Sequence, residues 1–237
     1  MKHNILKRAA AAAAAALVLS SAAYAADEPS WWAQTDVSDA INTGIVPDDL
    51  QKNYTESLSR VGFTHLAISY LAKLQGLTPD KLKESGTPFS DTDDDYVAAA
   101  YSRGIISGYG DGSFAPNDGI TRQEAAKILI NTQKAYMGKE PSGGGDVPEY
   151  TDADEVSAWA KEYVELAGRM GIMKGMEDGS FAPNGNYTTE QAIITFGRLF
   201  KNVDEAESAD PSWDNVNPPI TAMLKVVDGE LSNGSEN

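Results

Sequence analysis

The sequence contains one heptapeptide twice, and this duplication constrains the fold more than any other feature. Asp-Gly-Ser-Phe-Ala-Pro-Asn occupies residues 111–117 and again residues 178–184, 67 residues later. The match continues backwards at the same spacing, with residues 104–108 (Gly-Ile-Ile-Ser-Gly) aligned to residues 171–175 (Gly-Ile-Met-Lys-Gly). Because such self-similarity is typical of duplicated structural units, the chain is predicted to be built from repeats.

Each of the two clear copies has the pattern of a helix, a loop and a second helix. The first helix is predicted over residues 96–103 in one copy and residues 159–170 in the other, and a glycine follows each predicted end, where helices commonly stop. Each loop carries one aromatic residue, Phe114 or Phe181, which is predicted to anchor the loop in the core. The second helix has apolar residues at the i, i+3, i+4, i+7 spacing of a single buried face.

A weaker third copy lies upstream of these two. The predicted divisions are a first, divergent unit at residues 30–75, a second unit at residues 88–137, a third unit at residues 146–203 and an acidic, flexible tail at residues 204–237. One helix-loop-helix unit cannot bury its apolar stripe alone, whereas three units together can. The predicted fold is therefore all-α, with a pseudo-threefold arrangement of the units.

The two ends of the chain differ from the repeats. Residues 1–25 have a basic start, a short apolar run and an Ala-x-Ala site, which is the pattern of a cleaved export signal. No other stretch is predicted to span a membrane. The tail contains a short apolar run at residues 220–227, which could dock back on the repeats or bind a protein partner.

Composition excludes several classes of function. The formal net charge of −16 argues against binding to nucleic acid, whose phosphates require basic side chains. The absence of cysteine excludes disulfides and thiolate metal sites, and no cofactor is expected. His65 is the only histidine after the export signal, and no nucleophile motif accompanies it, so the chain is not predicted to be an enzyme. A glycosidase-type pair among the 35 acidic residues stays a distant alternative, because no spacing singles one out.

The second helices have a clear start signal. Thr121 and Glu124 stand at the spacing of a capping box, in which each side chain satisfies an otherwise unpaired backbone donor. Thr188 and Gln191 repeat this pattern in the third unit. Capping alone explains these residues, and contact with a ligand is the alternative.

Arg122 is harder to explain by helix stability. A cation in the first turn gains nothing from the helix dipole, whereas a guanidinium beside free backbone donors is suited to bind a carboxylate. A solvated surface arginine is the other interpretation. Our alignment of the first unit places Gly62 and His65 at the capping-box positions and Phe63 at the arginine position, and the third unit has Thr189 there. Arg122 is therefore expected to be the only arginine in this role.

Acidic clusters at residues 91–95 and 152–155 raise the question of calcium. An EF-hand loop that begins at Asp91 requires Gly at its sixth position and Glu at its twelfth, where Tyr96 and Ser102 stand. The motif fails, and acidic residues ahead of a helix are also expected from capping. Trp31, Trp32 and Trp159 could stack on sugar rings or serve as core anchors.

Together these motifs resemble the S-layer homology repeat, a module that bacteria use, usually in threes, to hold exported proteins on the cell wall. The resemblance rests on the aromatic and Asp openings at 89–91 and 150–152, the middle segments 104–117 and 171–184, and the helix start at 121–124. The first unit is similar to a divergent variant, with Trp32-Ala33 and Gly44-Ile45-Val46-Pro47. The resemblance implies a three-pronged prism whose grooves hold an anionic, often pyruvylated, secondary cell-wall polysaccharide or a peptidoglycan-linked glycan.

The resemblance also implies a non-enzymatic protein of the cell wall or S-layer, in which Arg122 supplies the cation of a groove. The ligand-binding residues expected on this basis are Arg122, Thr121, Glu124, Asp91, Gly108 and Trp32. The alternative is an extracellular protein-interaction or structural module whose glycan grooves have decayed. Such a module would act through its tryptophans, its acidic surface or its tail.

Overall fold

The computed structural model describes residues 28–209, with side chains up to residue 203. Its helices are α1 (Gln34–Thr43), α2 (Arg60–Leu74), α3 (Asp95–Ser102), α4 (Arg122–Met137), α5 (Lys161–Arg169) and α6 (Thr189–Ala209), with short 3₁₀ turns at Asp48–Leu50 and Pro79–Leu82. Three isolated β-bridges occur in the described residues and no strand does, so the all-α prediction is confirmed. None of the described helices is long and apolar enough to cross a membrane.

Most of the two predicted terminal segments lies outside the residues that the structure describes. The export signal predicted at residues 1–25 lies outside the described residues, as do residues 210–237 of the predicted tail. The last helix, α6, continues to Ala209 and therefore extends past residue 203, where the third unit was predicted to end.

The predicted capping signals operate as the sequence pattern indicates. The Thr121 side chain accepts a hydrogen bond from the Glu124 amide, and the Glu124 carboxylate accepts one from the Thr121 amide at 2.9 Å. In the third unit, Thr188 donates from its amide to the Gln191 side chain at 3.1 Å. Both local patterns therefore begin helices, α4 and α6.

In the first unit our alignment was wrong by three residues. The N-cap of α2 is Ser59, whose hydroxyl accepts a hydrogen bond from the Gly62 amide, and the first helical residue is Arg60. Arg60 is therefore the counterpart of Arg122, and the core residue Phe63 is not. A shift of three residues is almost one helical turn, so it leaves the apolar stripe on nearly the same side and the pattern does not reveal it.

Backbone hydrogen bonds join the three units in a closed cycle. Leu58 donates to Tyr187, Tyr187 donates to Ile120, and Ile120 donates back to Leu58, each at 2.9 Å. These three residues directly precede the N-caps of α2, α4 and α6. The starts of the three helices therefore meet around one point, and each contact between consecutive units is called a seam below.

Aromatic side chains fill the centre of the molecule. Phe63 on α2 packs against Phe196 on α6 with 5.3 Å between ring centroids, and Tyr70 lies 5.5 Å from the same ring. Phe114 and Phe181, the aromatic residues of the duplicated loops, are completely buried. The prediction that they anchor these loops in the core is confirmed.

Candidate functional site

A groove of about 300 Å³ lies where all three units meet, and it is called the Trp159 groove here. Its walls include Arg60 of the first unit, the loop and the α4 side chains of the second unit, and Trp159 of the third unit. The lining side chains with polar or aromatic character are Arg60, Ser107, Tyr109, Glu124, Lys127 and Trp159, and Gly108 lies among them. A ligand in this groove would contact three parts of the chain that only the fold brings together.

Arg60 forms the inner end of this groove and is only 5% exposed. Its Nε donates to the carbonyl of Phe114 at 2.9 Å, and its Nη1 lies 2.9 Å from a carboxylate oxygen of Glu124. The guanidinium stands over the rings of Tyr109 and Phe114, 4.9 Å from each centroid. These contacts fasten the α2 start to the loop of the second unit and balance the charge of Arg60.

Glu124 collects hydrogen bonds on both carboxylate oxygens. One oxygen accepts from the amide and the hydroxyl of Thr121, and the other accepts from Arg60 and from the Tyr109 hydroxyl. Burial alone would raise the pKa of Glu124, but the Thr121 hydrogen bonds, the Arg60 charge and the Tyr109 hydroxyl together hold that pKa below its usual value. The predicted residues Thr121, Glu124 and Gly108 therefore do lie together, around an ionised carboxylate.

The open side of the groove presents a cation beside an aromatic face. The ammonium of Lys127 lies 5.5 Å from the ring centroid of Trp159 and donates to the Ser107 hydroxyl at 3.0 Å. Trp159 remains 49% exposed. An exposed indole offers stacking area and a nearby ammonium offers charge, which is a combination suited to an anionic sugar.

Arg122 lies at the next seam and not in the Trp159 groove. It is 5% exposed, and its guanidinium donates to the carbonyls of Phe181 at 2.6 Å and Lys174 at 2.9 Å. The guanidinium also stands 4.9 Å from the Phe181 ring centroid. Arg122 thus repeats, one unit later, the contacts of Arg60, and its contact with a ligand stays a prediction.

Asp91 holds the loop of its own unit in place. Its two carboxylate oxygens accept hydrogen bonds from the amides of Phe114 and Ala115 at 2.9 and 2.8 Å. The amide of Phe114, together with that of Ala115, keeps the pKa of Asp91 below its usual value. Ala115 has a φ of 55°, a left-handed conformation that needs such support, and Asp152 makes the same pair of bonds in the third unit.

The acidic clusters form no metal site within residues 28–203, the range whose side chains the structure describes. No group of at least three His, Cys, Asp or Glu side chains in that range is arranged to hold a metal ion. The second-unit cluster instead supplies two structural contacts, the loop bonds of Asp91 and the α3 N-cap of Asp94, which accepts from the amides of Tyr96 and Val97.

Trp32 and Trp159 occupy equivalent places in the first and third units. Trp32 precedes the N-cap Ala33 of α1, as Trp159 precedes the N-cap Ala160 of α5, and both indoles are 49% exposed. Trp31 is 86% exposed. These three tryptophans are therefore not core anchors, although Trp32 is not part of the Trp159 groove.

Sequence reasoning missed both cations of the groove, for different reasons. Arg60 was overlooked because the first unit was misaligned, and the available signal was a Ser-Arg pair just ahead of an apolar helix. Lys127 stands three residues after Glu124, so the two share one side of α4. That spacing could have identified Lys127 as a neighbour of the capping box.

Comparison with known proteins gives matches along most of the chain. The S-layer homology domain model matches residues 88–126 and 149–193, which lie in the second and third units. The chain is 30% identical over 213 residues to the Surface-layer 125 kDa protein of Lysinibacillus sphaericus, covering 87% of this chain and 17% of that protein.

Two further relatives have names that do not refer to a surface layer. An endoglucanase of a Bacillus species is 33% identical over 187 residues, which cover 77% of this chain and 19% of the enzyme. The Cellulosome-anchoring protein of Acetivibrio thermocellus is 28% identical over 133 residues, which cover 54% of this chain and 29% of that protein. The aligned part of the chain thus spans well under two thirds of the length of each relative described here.

Proposed function

This chain is an S-layer homology domain protein of the cell surface, and we propose that it attaches to the cell wall by binding an anionic wall glycan in the Trp159 groove. In this proposal the ligand is a secondary cell-wall polysaccharide whose acidic groups, such as pyruvate ketals, pair with cations of the groove. The chain acts as a non-catalytic anchoring module. The matches to a surface-layer protein and to a cellulosome-anchoring protein support attachment as the general role.

The observation that carries the proposal is the exposed indole of Trp159 beside the Lys127 ammonium. A flat aromatic face can stack on the apolar face of a sugar ring, and the ammonium can pair with a carboxylate. The groove has two cations, Arg60 and Lys127, against one carboxylate, Glu124. This excess is notable in a chain with a formal net charge of −16, whose surface otherwise repels an anionic polymer.

The sequence-predicted site residues take different parts in this proposal. Gly108 and Glu124 border the ligand, because both line the groove. Thr121 and Asp91 act indirectly, through the α4 start and the loop that they hold. Arg122 serves the neighbouring seam in the same way that Arg60 serves this one.

The exposure of the Trp31 side chain favours a second candidate function, binding to a protein partner. Trp31 is 86% exposed and stands outside the Trp159 groove. An indole with so little cover is unusual for a residue with only a packing role, and tryptophan is enriched at the centres of protein interfaces. A partner that contacts Trp31 would be indifferent to changes in the groove.

Co-sedimentation with purified cell-wall sacculi tests the proposal and separates it from this second candidate. The wild-type chain, Trp159→Ala and Trp31→Ala are compared on sacculi before and after acid extraction of the secondary polymer. We expect binding that is lost on extraction and in Trp159→Ala, and retained in Trp31→Ala, which removes an equally large indole outside the groove. Circular dichroism verifies that both variants are folded. Wild-type binding that survives extraction, or that depends on Trp31 and not on Trp159, would contradict the proposal.

A further inference from the structure

A groove of about 230 Å³ lies where α4, α5 and α6 end, and it is called the helix-end groove here. The connection between the second and third units forms one of its walls. Its apolar lining residues are Met137, Pro141, Met170, Leu199 and Val203, and Arg169 is its charged lining residue. The starts of α4 and α6 are roughly 20 Å away along these helices, so the helix-end groove is separate from the Trp159 groove.

Two polar side chains of the helix-end groove lack partners among the described residues. Gln133 is 4% exposed, and its Oε1 accepts a hydrogen bond from the Tyr70 hydroxyl at 2.8 Å. Its Nε2 has no hydrogen-bond partner in the described part of the chain, which is costly for a buried donor. The exposed guanidinium of Arg169 likewise forms no ion pair or hydrogen bond with the described residues. The groove therefore offers a donor and a positive charge beside an apolar surface.

The chain runs past this groove before it reaches its last residues. Asn202 and Val203 line the groove, and α6 continues to Ala209. Residues 204–209 extend the helix by about 9 Å beyond the groove. Residues 210–219 can span at most about 33 Å when fully extended, which is more than enough to return over that distance. The segment that follows residue 219 can therefore reach the helix-end groove of its own chain.

The sequence of residues 220–227 has the pattern of a short amphipathic helix. Its apolar residues stand at the i, i+3, i+4, i+7 spacing of one helical face, at Ile220, Met223, Leu224 and Val227. Pro219 comes directly before the run, and proline is favoured in the first turn of a helix. Asp228 and Glu230 follow the run, and a carboxylate there is suited to pair with Arg169.

We infer that residues 220–227 fold back as a short helix and cover the helix-end groove of the same chain. Their apolar face packs on Met137 and Met170, and a free carbonyl at the end of the short helix accepts from Gln133 Nε2. Asp228 pairs with Arg169. The docked run contacts α4 of the second unit together with α5 and α6 of the third, so it restrains the connection between these units. This contact is independent of the proposed glycan binding.

Hydrogen exchange followed by mass spectrometry on residues 26–237 tests whether the run is docked. An isolated helix of this length is marginal in water, so protection of its amides requires contact with the rest of the protein. Met223→Glu/Leu224→Glu places two carboxylates on the apolar face, where burial opposes them. Thr221→Glu/Ala222→Glu adds the same charge to the opposite face and is the matched control.

We expect the amides of residues 220–227 to be protected in the wild type. Their protection should fall at least about tenfold in Met223→Glu/Leu224→Glu and stay within about twofold in the control. Circular dichroism verifies that the body of each variant is folded. No protection in the wild type, or equal protection in the two variants, would overturn the inference.

Disulfide formation tests where the run is docked, because the chain has no cysteine of its own. Met137→Cys/Leu224→Cys joins the groove to the apolar face of the run, and Met137→Cys/Ala222→Cys joins it to the opposite face. The first pair should form an intramolecular disulfide at least about tenfold faster than the second, since a disulfide requires close and correctly directed Cβ atoms. Reaction is followed by non-reducing electrophoresis and intact mass at several protein concentrations.

Equal rates for the two pairs would show that the run is not held on this groove, and would overturn the inference. Disulfide-linked dimers whose formation depends on protein concentration would also overturn it, because the groove would then be covered by a second copy of the chain. Neither experiment includes a glycan, so its outcome does not depend on the outcome of the sacculus assay.

Discussion

The seams that begin at α2 and α4 are fastened by a buried arginine, whereas the seam that begins at α6 is fastened by a buried carboxylate. Arg60 and Arg122 each donate to carbonyls of the following unit. At the third seam Thr189 stands in the arginine position, and the next residue, Glu190, is 3% exposed. Its two oxygens accept from the amide and the hydroxyl of Ser30, each at 2.8 Å.

The backbone at the three seams is nevertheless the same. The amides of Arg60, Arg122 and Thr189 donate to carbonyls of the next unit at 2.9, 3.0 and 3.0 Å. The arrangement therefore tolerates opposite charges in its side chains as long as buried donors and acceptors are paired. The comparison indicates that Arg60 and Arg122 have a primarily structural role, which is to join consecutive units at a seam. Four changes test this interpretation.

The largest effect is expected for Arg122→Ala. This change removes two charge-assisted hydrogen bonds and the stacking on Phe181, so the free energy of unfolding should fall by about 3 kcal/mol. Urea denaturation followed by circular dichroism measures it. Arg198→Ala is the control, because Arg198 is more exposed and its contact with Asp36 is long, and its cost should stay below about 1 kcal/mol. Equal costs would mean that the motif arginine is not structural.

Glu190→Ala breaks the third seam and should cost about 2 kcal/mol, since it leaves the two part-buried donors of Ser30 without their acceptor. Glu190→Gln keeps one acceptor oxygen and should cost about half as much. The same urea series compares both variants with the wild type. If neither variant changes stability, the third seam is held by its backbone bonds alone.

Gly108→Ala tests the loop that Arg60 fastens. A Cβ at this position would lie 2.4 Å from Phe89 Cε1 and 2.5 Å from the Ser113 carbonyl, so a cost of about 1.5 kcal/mol is expected. The matched control is Gly110→Ala, where a Cβ has open space. Gly175→Ala in the equivalent loop should cost less than Gly108→Ala, because its nearest backbone atom is 3.0 Å away. Thermal unfolding ranks the three variants, and a reversed order would show that the two loops differ in rigidity.

The smallest expected effect concerns the pH dependence of stability at the seam that begins at α2, where Glu124 pairs with Arg60. The third unit has the uncharged Gln191 at the position equivalent to Glu124. Because the folded-state pKa of Glu124 is lowered, its contribution is complete above the unfolded pKa of about 4.3 and is lost as the pH falls through the folded value. Glu124→Gln should therefore lose less stability than the wild type on acidification from about pH 6 to about pH 3.5. Urea midpoints at the two pH values measure the difference. Equal losses would show that Glu124 is not a source of the acid sensitivity.

Arg60 shows why sequence reasoning located the helices better than it located the site. The stripe of apolar residues on α2 looks nearly the same after a shift of one turn, so it cannot establish which residue begins the helix. The backbone conformation of Ser59 decides that point, and with it the identity of the arginine. The Trp159 groove was equally hidden, because Arg60 and Trp159 are far apart in the chain.

The sequence by itself determined the repeats, the helical class and the starts of α4 and α6. These features depend on residues three or four positions apart, such as Thr121 and Glu124, whose interactions are local. Only the tertiary structure decided that Arg122 joins two units at a seam and that Lys127 lies beside Trp159 in the Trp159 groove. Their partners Phe181 and Trp159 lie on the next unit, 59 and 32 residues away along the chain, and only the cyclic packing of the units brings them together.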